Sequence, residues 1–209
     1  MREVTQADLD CIQTQLGRTP RDVHAIAYRC PCGKPAVVET PPRLEDGTPF
    51  PTFYYATCPR LTAVISTLET TGLMGEMNER LETDAELAGA YHAAHDDYIA
   101  ARSALGIDVP EVDNVSAGGM PTRVKCLHSL IAHSLSAGPD VNPLGDEALA
   151  KPIAERLNNR FTAALGLTQE QELRPLPTRL LRDESGHAAW PPSLILPRRY
   201  QWCRLQFER

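Results

Sequence analysis

Cysteine and histidine side chains occur in short motifs at three separate places along the chain. The sequence contains Arg29-Cys30-Pro31-Cys32-Gly33, then Thr57-Cys58-Pro59, and later Lys125-Cys126-Leu127-His128, with His133 further on. Thiolates and neutral imidazoles are the donors that zinc sites use, thiolates hold iron–sulfur clusters, and a thiolate beside an imidazole is also a nucleophile. These residue types therefore indicate either a metal centre or thiol chemistry.

Local sequence signals predict the elements that position the first thiols. Thr5 is a suitable N-cap for a helix over residues 3–16, which Gly17 ends. A strand over residues 23–28 leads directly into Cys30, and two further strands are predicted around residues 37–38 and 53–55. We expect these strands to form a small antiparallel sheet with Cys30 and Cys32 at one end.

Cys58 is predicted to lie at the N-cap of a helix. Pro59 suits the first turn, and Leu61, Ile65 and Leu68 follow at helical spacing. At this position the helix dipole and the free backbone N–H groups stabilise a thiolate, which favours metal binding or nucleophilic attack. The alternative is that Cys58 only marks a junction between a strand and a helix.

The fourth thiol, Cys126, is predicted to lie within a helix over residues 122–137. In a regular helix Cys126 and His133 share a face about 10 Å apart along the axis, whereas His128 points about 160° away. His133 is then too distant to bind the same ion and is expected to support a ligand instead. His128 becomes a ligand only if the opening turn is distorted. Each histidine could equally be a hydrogen-bonded core residue.

Another helix is predicted over residues 84–105. Leu87, Tyr91, Ala94 and Tyr98 begin an apolar stripe at offsets of three and four, which predicts a core face. His92, His95 and Asp96 have a metal-like spacing on this helix, but His92 and Asp96 fall on the opposite, solvent-facing side.

Charge divides the chain near residue 150. Residues 1–150 carry 11 Lys or Arg and 21 Asp or Glu, whereas residues 151–209 carry 10 and 6. An acidic body lacks the basic surface that binds nucleic acid, so we expect no nucleic-acid partner. We expect an α+β domain over 1–150, with the small sheet packed against several helices, and an irregular extension over 151–209.

The extension is rich in Arg and Pro. Ile153, Leu157, Phe161 and Leu165 predict one amphipathic helix, and Trp190 and later aromatic residues could contact a protein partner. The chain contains no run long enough for a transmembrane helix, no secretory signal and no nucleotide-binding motif. With six cysteines and no export signal, we expect reduced thiols and a cytoplasmic location.

Five segments of the chain occur in a characteristic order. They are Gln15-Leu16-Gly17-Arg18, Arg29-Cys30-Pro31-Cys32-Gly33, Gly47-Thr48-Pro49-Phe50-Pro51-Thr52, Thr57-Cys58-Pro59, and the run from Gly119 to Pro143. Through these segments the chain resembles an uncharacterised actinobacterial family, catalogued as domain of unknown function 501, over residues of about 5–150. Because that family has no established reaction, the resemblance implies no catalytic role. Through the genes that often neighbour its members, it implies a link to cell-envelope or division physiology.

Three hypotheses follow for the function. In the first, Cys30, Cys32, Cys58 and Cys126 bind zinc or an iron–sulfur cluster, with His128 as a further candidate and His133 in support. In the second, Cys58 or Cys126 is a nucleophile activated by a histidine, or Cys30 and Cys32 form a redox pair. In the third, the thiols are buried core residues of an interaction protein, which suits Cys11 and Cys203 best.

Overall fold

A three-stranded antiparallel sheet and the helices that cover it form an α+β fold, as the sequence predicts. The structure is a computed structural model that describes residues 4–30, 32–151, 181–182 and 188–189. Residues 143–151 are also helical. The named elements are α1 (Gln6–Leu16), β1 (Ala25–Arg29), β2 (Pro35–Glu39), β3 (Tyr54–Ala56), α2 (Pro59–Glu69), α3 (Leu73–Thr83), α4 (Ala85–Ser103), a 3₁₀ turn (Pro110–Val112), α5 (Leu127–Ala137), β4 (Leu181–Arg182) and β5 (Ala188–Ala189).

Strand β2 is the central strand of the sheet, and every one of its residues is buried. On one face, Val38 packs with Ile26 of β1 and Ile12 of α1 in a small apolar cluster. On the other face, Val37 belongs to the main core, to which helices α2 to α5 contribute. Because both faces are covered, residues 35–38 of β2 are all apolar instead of alternating with polar residues.

Helix α1 begins as predicted, with Thr5 as its N-cap. The Thr5 hydroxyl accepts from the backbone N–H of Asp8, and the Asp8 carboxylate accepts from the backbone N–H of Thr5, which completes a capping box. The same carboxylate accepts two hydrogen bonds from Arg29, at 2.7 and 2.8 Å. This ion pair joins α1 to the end of β1, immediately before Cys30.

The hydrogen bonds from Arg29, supported by Thr5, hold the pKa of Asp8 well below its ordinary value of 3.8, although burial opposes this shift. Since the folded pKa is lower than the unfolded one, the stabilisation is complete above pH 4 or so and disappears as the pH falls further. We expect Asp8→Ala to lower the free energy of unfolding by about 1–2 kcal/mol near pH 7, because it removes a cap and a half-exposed ion pair.

Urea unfolding at about pH 7 and about pH 2.5 measures this effect. Asp10→Ala is the matched control, since Asp10 lies on the same helix and is exposed. An Asp8→Ala loss that is the same at both pH values would show that the carboxylate charge is not the cause.

Helix α5 begins at Leu127, five residues later than predicted. The preceding backbone is extended at Cys126, because the polar groups of the loop residues before it are bound outside any helix. Within that loop, the Lys125 N–H donates to the Gly118 carbonyl at 2.7 Å. From outside the loop, the Asn78 side chain makes hydrogen bonds to both the N–H and the carbonyl of Val124. Helix α3, which was not predicted, supplies Asn78.

The long helix α4 agrees with its prediction. Asp84 is its N-cap, and Tyr91, Ala94 and Tyr98 are buried. Among the described residues, no helix has both the length and the apolar character needed to cross a membrane. The amphipathic helix predicted around Ile153 and the aromatic contacts predicted around Trp190 lie outside the described residues, and the domain division at residue 150 stays a prediction.

Candidate functional site

Three side chains with metal-binding atoms meet at the start of α5. One ligand atom from each of Glu69, Cys126 and His128 lies within 4.8 Å of the other two, and all three residues are half-buried. No other group of three His, Cys, Asp or Glu ligand atoms comes this close within the part of the chain that the structure describes. This trio is therefore the candidate metal site.

Helix α2 supplies the carboxylate of the trio. Glu69 is the last residue of α2, and its Oε1 accepts from the backbone N–H of Leu127 at 2.8 Å and lies 3.2 Å from Nδ1 of His128. Ser66, one turn earlier on the same face of α2, places its hydroxyl 3.4 Å from Nε2 of His128. Both imidazole nitrogens therefore have polar neighbours from α2.

Cys126 is the N-cap of α5 and has an extended backbone, with φ −155° and ψ 113°. Its thiol makes no capping hydrogen bond, and Glu69 instead binds a free N–H of the first turn. Had the helix started at residue 122, Cys126 and His128 would point apart. Because it starts at Leu127, the distorted opening that the sequence analysis required for His128 is present.

The trio suits a divalent metal chemically. Carboxylate oxygen, thiolate sulfur and imidazole nitrogen are all zinc donors, and three protein ligands leave a position for water or substrate. A purely structural role is the competing interpretation, because a carboxylate at a helix N-terminus stabilises the helix without any metal.

The four thiols proposed from the sequence do not lie together. Cys58 is the N-cap of α2, whereas Cys126 lies beside Glu69 at the opposite end of the same helix. With 11 residues in α2, the two ends are about 15 Å apart at about 1.5 Å per residue. Cys126 is therefore separated from the other three thiols and lies beside His128 instead.

The remaining thiols gather near the turn between β1 and β2. Cys32 N–H points at the Cys30 sulfur, 3.5 Å away, and Thr57 N–H donates to the Ala36 carbonyl at 2.9 Å, which holds Cys58 near this turn. Cys11 of α1 is close enough that a thiolate at Cys32 or Cys58 would raise its pKa. We call Cys11, Cys30, Cys32 and Cys58 the thiol group.

Burial keeps part of the thiol group protonated. It is the main reason that the pKa of Cys30 is raised to about 12, and the neighbouring Cys32 adds to the shift. Burial likewise raises the pKa of Cys11. Cys32, in contrast, is exposed. Because the thiolate is the reactive form, Cys30 and Cys11 are weak nucleophiles near neutral pH.

His133 is a core residue. It is fully buried, its Nε2 lies 2.8 Å from Asp97 Oδ1, and the Asn142 amide lies 3.2 Å from its Nδ1. Its ring stacks on Tyr54 and meets Tyr98 edge-on. His133 is therefore a hydrogen-bonded core residue, one of the two roles that the sequence left open, and it is not a member of the trio.

The histidines of α4 are divided between core and solvent. His95 is buried, with Nδ1 2.8 Å from the Ser116 hydroxyl, and burial lowers its pKa. His92 and Asp96 are exposed and pair with each other at 3.3 Å. These three residues form no metal-binding trio within the described part of the chain.

Comparison with known proteins identifies the family. Residues 26–150 match the family model described as "Protein of unknown function (DUF501)", which spans more than half of the chain. The chain belongs to the DUF501 family. No curated protein and no solved structure matches it. The family thus confirms the resemblance seen in the sequence motifs, and its description assigns no reaction.

Two functional candidates of this DUF501 chain escaped the sequence analysis. Glu69 has no nearby cysteine or histidine in sequence, and only the packing of α2 against α5 brings it to Cys126. Cys11 lies in α1 beside the buried Ile12. Nothing in that position along the helix indicates that the other thiols are near it. Both residues depend on contacts between elements distant in sequence.

Proposed function

We propose that this DUF501 protein binds a zinc ion through Glu69, Cys126 and His128. The observation that carries the proposal is the approach of the three ligand atoms to within 4.8 Å of one another. The three side chains come from two helix ends, and half-burial leaves them accessible to an ion from solvent. Zinc sites that activate water have three protein ligands and leave the fourth coordination position to water or substrate. Because the trio offers three ligands, the proposal extends to hydrolytic chemistry.

Zinc suits this trio better than an iron–sulfur cluster. Clusters are held by several thiolates, whereas the trio offers one thiol, one imidazole and one carboxylate. The original set of Cys30, Cys32, Cys58 and Cys126 offers four thiols, but Cys126 lies at the opposite end of α2 from Cys58. An ion bound by Cys126 therefore finds its other ligands in Glu69 and His128.

Metal analysis of protein purified without oxygen tests the proposal directly. We expect near-stoichiometric zinc and, after exchange into cobalt, an absorption spectrum with a sulfur-to-cobalt charge-transfer band. Iron with a visible sulfur-to-iron band would instead identify a cluster in the thiol group. A folded protein that neither contains zinc nor binds it on titration would refute the site and favour the interaction-protein hypothesis.

A thiol-redox role for Cys30 and Cys32 is the second candidate, supported by their contact through the Cys32 N–H. Exposed Cys32 is expected to react first with iodoacetamide near neutral pH, and buried Cys30 last, because its raised pKa leaves almost no thiolate. Mass spectrometry of digested peptides gives the order in which the thiols are labelled.

A redox role further requires that oxidised glutathione links Cys32 to another thiol of the thiol group by a disulfide bond. Cys32→Ser is the control. Equal labelling rates, with no such link, would rule this role out.

A further inference from the structure

A groove lies beside the loop that precedes α5. It has a volume of about 480 Å³, which falls within the range of small-molecule sites. One wall comes from the residues before β3, and the other comes from the loop over 115–125 and the first turn of α5. The lining residues are Pro51, Thr52, Val115, Ser116, Ala117, Gly118, Gly119, Met120, Thr122, Arg123, Lys125 and Ser129.

The charged side chains that line the groove are both cationic. Arg123 and Lys125 are exposed and contribute to its wall, and no Asp or Glu lines it. Within the described residues, neither side chain forms a salt bridge, whereas Arg29, Arg43 and Arg80 each pair with a carboxylate. On an otherwise acidic body, two cations without carboxylate partners create a local positive potential that attracts anions.

The backbone that carries these cations is held in place. Lys125 N–H donates to the Gly118 carbonyl, Asn78 binds both polar groups of Val124, and the Tyr91 hydroxyl donates to the Arg123 carbonyl at 3.2 Å. The positions of Arg123 and Lys125 are thereby fixed before any ligand arrives, which reduces the entropy lost on binding.

The backbone favours glycine at both positions of the Gly118-Gly119 pair, and most strongly at Gly119, where a side chain would meet the backbone. Their φ angles are +71° and +96°, and a Cβ at Gly119 would lie 2.5 Å from the Arg123 carbonyl oxygen. At Gly118 it would lie 2.4 Å from a methyl group of Leu130. The absence of side chains here lets the loop pack closely against Leu130 of α5 and against the backbone of Arg123, which fixes the shape of this wall of the groove.

We infer that this groove binds a phosphate group. Arg123 and Lys125 supply the charge, and the hydroxyl-bearing residues Thr52, Thr122 and Ser129 line the same space. Val115, which is 47% exposed, and Met120 add apolar surface suited to the organic part of a phosphomonoester.

The inference is independent of the zinc proposal. Lys125 contributes to the groove, whereas the next residue, Cys126, has an extended backbone and meets Glu69 and His128. None of the three trio residues lines the groove, so the two sites share no side chain.

Titration of ¹⁵N-labelled protein with inorganic phosphate at constant ionic strength tests the inference. We expect saturable shifts of the amide signals of Gly118, Gly119 and Lys125, and none with an equivalent addition of chloride. The double variant Arg123→Gln/Lys125→Gln is expected to weaken binding by about tenfold or more, because it removes two charge-assisted hydrogen bonds. Both residues are exposed, so its spectrum should otherwise match that of the parent protein.

The double variant Arg18→Gln/Arg21→Gln is the matched control, since it removes the same charge from two exposed residues outside the groove. Phenyl phosphate in place of phosphate distinguishes the ligand source: tighter binding assigns a phosphorylated organic molecule, and equal binding assigns free phosphate. Absent or unsaturable shifts, or equal weakening by the control, would overturn the inference.

Discussion

Replacing Cys126 by serine is expected to reduce zinc affinity by about 100-fold or more, because loss of even an outer hydrogen-bond partner of a zinc site typically reduces affinity by about 10–100-fold. Competition with a chromophoric chelator measures the change. Serine is a favourable N-cap residue, so α5 should be at least as stable in this variant. Loss of zinc would thus reflect loss of the thiolate, not of the fold.

Cys58→Ser is the matched control for this variant. Cys58 is also a half-buried N-cap with extended backbone and no capping hydrogen bond, so the chemical change and its local setting are the same. We expect it to leave zinc affinity unchanged. Equal losses from the two variants would contradict the trio and would instead support the four-thiol set of Cys30, Cys32, Cys58 and Cys126.

Glu69→Gln separates metal binding from helix capping. The amide oxygen of glutamine can still accept from the Leu127 N–H, but the negative charge is lost. If Glu69 binds zinc, affinity should fall while the free energy of unfolding of the metal-free protein changes little. A large loss of stability with unchanged zinc affinity would show that Glu69 serves only the helix. His128→Ala and the exposed His92→Ala give the corresponding comparison for the imidazole.

Replacing Arg102 by methionine is expected to lower the free energy of unfolding by about 3–5 kcal/mol, since it strands several buried acceptors at once. Arg102 is 2% exposed, near the end of α4. Its guanidinium donates to the carbonyls of Pro51 at 3.1 Å and Val115 at 2.5 Å, and also to that of Val112. These bonds connect both walls of the groove to α4.

Arg80→Met is the control, because Arg80 also lies in the last turn of its helix, α3, but pairs with Glu147 at the surface. Surface ion pairs contribute about 1 kcal/mol or less, so the control should change stability only slightly. Urea unfolding followed by circular dichroism compares the two variants. An Arg102→Met loss no larger than that of the control would show that the buried carbonyls find other partners.

Elements with strong local signals were predicted well. The caps at Thr5 and Cys58, the long helix predicted over residues 84–105 and the three strands agree with the structure, because such features depend on residues a few positions apart. The start of α5 was predicted too early. Pro121 comes directly before residue 122, and a proline near a first turn is a common helix signal. In the structure, however, Asn78 and the Gly118 carbonyl bind the backbone of residues 124 and 125 and prevent helix formation there.

By itself, the sequence determined the fold class, the family and the presence of thiols at helix and strand ends. All of these follow from residue types and short spacings. Only the tertiary structure decided which side chains meet. Cys126 joins Glu69 and His128 because α2 ends against the first turn of α5, and Cys11 joins the thiol group because α1 packs on β2. Such encounters depend on how whole elements pack, and short-range spacing carries no information about that packing.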